Sequence, residues 1–297
     1  MKKANTLIAL LLALSFLTPT LTLASCANDE AREESAPSFS TSSPEEEEES
    51  AVPDQTPNPT PEQPPQTENT EGEKDEPVEQ PTKPVLQKAQ YINCIGSGVN
   101  LRAGAGTDYA VLGQAQSGEN YAVLSKTGQW YKIYYKNKPA YLYASYGAVF
   151  TIEQSKNQDV ERVISEGYKL LGVPYVYGAV RLHDGKGKLL KGFSAQKFDC
   201  SSLIQYIFYK GADTLLQVNT RTQVKQGKYV AKKDLQRGDC LFFTNESRKH
   251  LTGVERVGHV ALYLGDNYIL HTASDYARIE KISKSRWNFY IEARRFL

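Results

Sequence analysis

The sequence predicts an α+β protein in which a small all-β module precedes a part built from two helices and an antiparallel hairpin. Three observations predict it. Residues from about 91 to 150 run as short alternating stretches cut by Gly, Asn and Asp turns, without helical periodicity. Two later segments place apolar residues on one helical face: Val160, Val163, Ile164, Tyr168 and Leu171 in the first, Leu203, Ile204, Ile207 and Phe208 in the second. Finally, Val257 to Gly265 and Tyr268 to His271 read as two strands that return through a turn at Asp266-Asn267.

The chain opens on MKK and an apolar run from Leu7 to Leu23, the n- and h-regions of a secretory signal. The run ends at Leu23-Ala24-Ser25-Cys26, which resembles the lipobox of bacterial lipoproteins. Residues 1–25 are therefore expected to be a lipoprotein signal peptide, with Cys26 lipidated and anchoring the chain to a membrane. A spanning helix fits less well, because the run is short and interrupted. Residues 26–88 are expected to be a disordered tether. From 27 to 84 there are 17 Asp or Glu against three basic residues, 11 prolines and a single aromatic, Phe39. Such a segment has too little apolar surface for a core, and proline stiffness with a net charge of −14 keeps it extended.

Residues 85–297 carry 30 basic and 17 acidic residues, so the near-neutral total of +1 hides a divided molecule. No aromatic and basic interleaving of a nucleic-acid module is present, and nucleic acid is not an expected partner. An exported basic domain meets anionic polymers or lipid head groups instead. The length suits two domains, at 89–150 and 151–297. Of the remaining cysteines, Cys94 and Cys240 sit in apolar strand-like stretches and read as small buried hydrophobes. That leaves Cys200 for chemistry.

The second helix starts at Cys200, where the helix dipole and free backbone N–H groups favour a thiolate, and Asp199 suits the N-cap. His259 opens the first strand of the hairpin and His271 closes the second, so the two become cross-strand neighbours on one face. A nucleophile, a base and an orienting group are the parts of activated-thiol acyl transfer. Zinc is the competing use of Cys200, His259 and His271, but no closely spaced ligand motif supports it, and no metal or other cofactor is expected. His183 and His250 lie in polar stretches and are expected to be exposed bystanders.

Val99-Asn100-Leu101-Arg102-Ala103-Gly104, Gly128-Gln129-Trp130-Tyr131-Lys132-Ile133 and Ala140-Tyr141-Leu142 resemble the bacterial SH3-like domains found beside cell-wall hydrolases. Leu171 to Gly178, Phe198-Asp199-Cys200-Ser201-Ser202, Leu235 to Phe243, Gly258 to Gly265 and Ile269-Leu270-His271 look like the successive motifs of NlpC-like cell-wall cysteine peptidases. That resemblance implies a papain-like domain, with Cys200 as nucleophile, His259 as general base and His271 as the orienting residue. It further implies that Tyr175, Asp199 and Ser201 contact a free stem-peptide amine, with Thr220 as a weaker candidate. The implied reaction is cleavage of peptidoglycan stem peptides or muropeptides at the γ-D-Glu–diamino acid bond through a thioester, by a lipid-anchored protein facing the cell wall. Amidase or other acyl-transfer chemistry on the same site is an alternative, as is a wall-binding lipoprotein with an inactive peptidase domain. Tyr177 stands where the family usually has tryptophan, and the stretches 181–192 and 244–256 are insertions that reshape the cleft.

Overall fold

The structure is a computed structural model that describes residues 87–297. The expected signal peptide, the lipidation site Cys26 and all but the end of the expected tether lie outside the described residues.

The first module comprises β1 (Lys88–Cys94), β2 (Val99–Arg102), β3 (Val111–Ala115), β4 (Asn120–Ala122), β5 (Ser125–Thr127), β6 (Trp130–Tyr135), β7 (Lys138–Tyr143) and β8 (Gly147–Glu153). Alternation sets part of its interior, as in Ala140 and Leu142 of β7, while the consecutive Tyr91 and Ile92 of β1 are both fully buried because that strand is covered on both faces. Strands β6 and β7 form a hairpin whose turn residues, Lys136 and Asn137, both have positive φ, the geometry that matches strand twist. Five strands form a sheet ordered β3-β2-β7-β6-β5. Of the aromatics that were candidates for either a groove or the core, Tyr109 is exposed, while Trp130 and Tyr141 are half-buried.

The second part begins with α1 (Gln158–Lys169), α2 (Cys200–Ala212) and α3 (Thr220–Gln223), followed by β9 (Lys228–Val230), β10 (Cys240–Phe243), β11 (His259–Gly265), β12 (Tyr268–Ala273), β13 (Tyr276–Lys281), α4 (Lys284–Asn288) and β14 (Tyr290–Arg295). Helix α1 is capped by Asn157, whose side chain accepts from the Asp159 N–H, and its predicted face is buried through Val160, Val163, Ile164 and Tyr168. It ends two residues before Leu171, with Gly172 at φ 81° turning the chain away. Helix α2 buries Leu203, Ile204, Ile207 and Phe208 against the sheet face that carries Val260, Leu262 and Leu270. The opposite face carries Leu241, Phe243, Ala261 and Ile269, with Trp287 of α4 packed against them.

The α+β class expected from the sequence is thus observed, with helices packed on an antiparallel sheet behind an all-β module. The main sheet has nine strands, in the order β8-β1-β4-β13-β12-β11-β10-β14-β9, so it runs from one module into the other. The join is narrow. Only Ile279 of β13 pairs with Asn120 of β4, and the Asn120 side chain adds a bond to the Ile279 carbonyl at 3.1 Å. A buried polar cluster ties the modules elsewhere: Arg237 forks onto Glu161 of α1 at 2.7 and 2.9 Å and reaches Tyr91 of β1, Tyr168 of α1 and the Leu264 carbonyl.

Candidate active site

Helix α2 starts at Cys200 because the residues before it form a complete capping box. Asp199 Oδ1 accepts from the Ser202 N–H at 2.8 Å, and the Asp199 N–H donates to Ser202 Oγ at 2.9 Å; such a cap contributes about 1 kcal/mol. The thiol of Cys200 is 9% exposed and faces a cleft of about 540 Å³ also lined by Tyr175, Thr244, Asn245, His259 and Arg286. Backbone N–H groups of Val260 and Ser201 donate toward the sulfur, which sets it against the start of β11.

The hairpin turn at Asp266 and Asn267, with φ 48° and 64°, brings β12 back beside β11. His259 and His271 then share a face as expected, with His259 Nε2 2.9 Å from His271 Nδ1. Two of the four imidazole nitrogens therefore face one another rather than a shared ion. His271 is 1% exposed; its Nε2 lies 3.4 Å from Glu280 Oε2 of β13, and among the described residues no hydrogen bond of good geometry satisfies it. Glu280 Oε1 in turn accepts from Arg286 at 2.8 Å.

Burial decides the electrostatics. Desolvation, helped by the neighbouring Asp199 charge, pushes the Cys200 thiol up to about 12, against the backbone N–H groups and Arg181 that pull it down. The N–H groups at the helix start favour the thiolate, as the sequence suggests, while removal from water opposes them. Burial, and then the charges of His271 and Arg286, hold His259 well below the ordinary histidine value. Burial thus shifts both groups toward their neutral forms.

The remaining expected site residues divide. Tyr175 is half-buried and lines the cleft with Cys200 and His259. Asp199 and Ser201 are 4% and 3% exposed and are bound up with one another and with Arg181: Ser201 Oγ donates to Asp199 Oδ1 at 2.9 Å, and Arg181 donates to Asp199 Oδ2 at 2.8 Å. The same guanidinium donates to the carbonyls of Val218 and Ala179, so the start of the inserted stretch is pinned to the loop before α3. Thr220 is buried at the start of α3 and does not line the cleft.

His183 corrects an expectation. It is fully buried, not exposed, since its carbonyl accepts from Gln205 of α2, its Nδ1 accepts from the Gly185 N–H, and its ring lies 5.1 Å from that of Tyr209. The insertion is thus a packed extension of α2. His250 is exposed. The second insertion supplies Thr244, Asn245 and Glu246 to the cleft wall.

Arg181, Glu280 and Arg286 escaped the sequence reading. For Glu280 a signal existed: Tyr276, Arg278 and Glu280 alternate with Ala277 and Ile279, which marks a strand with one polar face. Nothing local marks Arg181, whose partner stands 18 residues away.

Comparison with known proteins agrees with this architecture. Residues 172–295 match the NlpC/P60 family and residues 97–148 the bacterial SH3 domain. The chain is 38% identical over 138 residues to gamma-DL-glutamyl hydrolase of Bacillus subtilis (strain 168), covering 46% of this chain and 29% of that protein. It is 28% identical over 181 residues to gamma-D-glutamyl-L-lysine dipeptidyl-peptidase of Bacillus cereus (strain ATCC 10987 / NRS 248), covering 60% and 46% respectively. A crystal structure of an NlpC/P60 family protein from Bacillus cereus aligns at 22% identity over 70% of this chain and 64% of that one, with a TM-score of 0.38. The chain spans less than half the length of both curated relatives. Residues 172–295 belong to the NlpC/P60 family and stand behind a bacterial SH3 domain.

Proposed function

We propose that this chain is a cysteine peptidase that hydrolyses peptidoglycan stem peptides at the γ-D-glutamyl–diamino acid bond. The observation that carries the reading is a thiol at a helix N-terminus, in one cleft with a histidine whose far nitrogen is held by a second histidine. The names of the relatives, a gamma-DL-glutamyl hydrolase and a gamma-D-glutamyl-L-lysine dipeptidyl-peptidase, support the substrate class.

In this mechanism Cys200 passes its proton to His259 as its sulfur attacks the scissile carbonyl, so the ion pair forms during attack rather than at rest. The Cys200 N–H, at the open start of α2, donates to the developing oxyanion. The imidazolium of His259 then protonates the leaving amine, and water activated by the same ring hydrolyses the thioester. His271 keeps the His259 ring in register. No cofactor takes part.

Tyr175 lies where it can touch substrate. Asp199 has both oxygens engaged by Arg181, Ser201 and Ser202, so a substrate ammonium would have to displace a guanidinium. We therefore assign Asp199 and Ser201 to shaping the start of α2, and take free-amine recognition to be weak. Lipidation at Cys26, with the acidic stretch as a spacer and the SH3 domain contacting the wall, completes the proposal and rests on the sequence motifs above. Mass spectrometry of products from defined muropeptides, with Cys200→Ala as control, tests it: a single new amine on the diamino acid is expected, and equal cleavage by the variant would overturn it.

A further inference from the structure

We propose that Glu280 is a positioning residue that sets the tautomers of both site histidines and so leaves His259 Nδ1 bare for the Cys200 proton; this rests on the peptidase reading above. One nitrogen of a neutral imidazole carries a proton and the other does not. His259 Nε2 and His271 Nδ1 are 2.9 Å apart, so one proton lies between them, and it belongs to one ring or the other. If it belongs to His259, then His271 carries its own proton on Nε2, and His259 Nδ1 is free to act as base. If it belongs to His271, then His259 is protonated on Nδ1 and has no lone pair left for the thiol. The two arrangements differ by one proton position on each ring.

His271 Nε2 decides between them. It is buried, and the polar atom it faces is Glu280 Oε2 at 3.4 Å. An ionised carboxylate only accepts, so it favours a proton on Nε2 and selects the productive arrangement. Glu280 is kept ionised: burial raises its pKa, but His271, Arg286 and Arg278 outweigh this and hold it to about 2. Arg286 of α4 binds the second carboxylate oxygen at 2.8 Å and fixes the group's orientation. The charged and titratable groups around the pair are thus Glu280 and Arg278 on β13, Arg286 on α4 and Cys200 on α2. During attack the proton moves from Cys200 Sγ to His259 Nδ1, and the resulting positive charge is balanced by the new thiolate beside it and by the carboxylate two groups away.

The test is long-range nitrogen–proton NMR of the histidine rings in the full chain, together with the rate of Cys200 alkylation by iodoacetamide at neutral pH, which needs no peptide substrate. Both rings of the unmodified protein should show the proton on Nε2. In Glu280→Ala the rings should shift toward the Nδ1-protonated form, alkylation should slow by about tenfold or more, and any peptidase kcat should fall likewise with KM unchanged. Glu280→Gln, close in shape, keeps the strand packed if the alanine variant fails to fold, and should change in the same direction. Folded variants whose rings stay protonated on Nε2, or whose alkylation stays within about twofold, would overturn the proposal. Absence of peptide cleavage by the unmodified protein, with the tautomer change intact, would overturn the peptidase reading alone.

Discussion

The dipeptide Asp-Cys occurs twice in this chain, and the two copies share almost everything except their use. Asp199 and Asp239 are 4% and 1% exposed, each caps a nearby backbone N–H, and each is paired with an arginine, Arg181 at 2.8 Å and Arg295 at 2.7 Å. The following thiols, Cys200 and Cys240, are both buried, and desolvation with the adjacent carboxylate raises both pKa values. What separates them is the element that begins there. Cys200 heads a helix at the wall of a cleft, with backbone N–H groups aimed at its sulfur; Cys240 opens β10 between β11 and β14 and has no exposed surface. In the proposed mechanism reactivity comes from access and from an imidazole in the same cleft, and the carboxylate–arginine pair before each thiol is a fastening.

The sharpest way to break this comparison is to remove each sulfur in turn. Cys200→Ala is expected to reduce stem-peptide hydrolysis by about a thousandfold or more with little change in Tm, since only one small side chain at a helix start is lost. His259→Ala should be about as damaging, because the two act as a unit. Cys240→Ser should do the reverse: a hydroxyl in a fully buried strand costs about 1–3 kcal/mol in chemical denaturation while leaving the kcat of the folded enzyme near normal. If the serine variant lost catalysis without losing stability, the second thiol would be more than packing.

A milder probe is pH. Because burial depresses His259, that ring stays neutral well below the ordinary value of about 6.5, so the acid limb of kcat/KM should fall below that value. Protonation of His259 at still lower pH removes the base, and activity drops. Alkylation of Cys200 should follow the same limb and climb again only as pH nears 12, where the thiol itself ionises. A limb at or above 6.5 would show that the ring is more hydrated than its packing indicates. The smallest effect concerns the fastening: with Asp199 already engaged, free and N-acetylated stem peptides should differ in kcat/KM by less than about threefold. A preference of a hundredfold for the free amine would mean that Arg181 yields to substrate.

These sites differed in how readable they were. Cys200, His259 and His271 stood out because their geometry is local: a helix start fixes one, and a two-residue turn with period-2 alternation fixes the others. The capping role of Asp199 was readable for the same reason. Glu280 lies on the next strand of a hairpin with His271, where its polar alternation was legible but its pairing was not, and Arg181 reaches its partner 18 residues away from an irregular stretch that no short pattern marks. His183 misled because a polar, glycine-rich stretch reads as solvated loop, while its carbonyl and ring are spent on Gln205 and Tyr209 of the neighbouring helix. The junction between modules was likewise invisible, since Arg237 and Tyr91 are 146 positions apart.

The single residue pair that joins β4 to β13 has a consequence for cutting the molecule apart. In the intact chain β13 has neighbours on both sides, β12 and β4. Excising the SH3 domain removes only the Ile279–Asn120 pairing from that side of β13, where Gly172, Val173 and Tyr175 of the peptidase part still bond to Ala277 and Asp275, but it strips Tyr91 from the Arg237 cluster. The isolated peptidase domain should therefore lose stability through that cluster, where the buried Arg237 and Tyr168 each lose a hydrogen-bond partner, and Tyr91→Phe in the full chain should reproduce part of the loss.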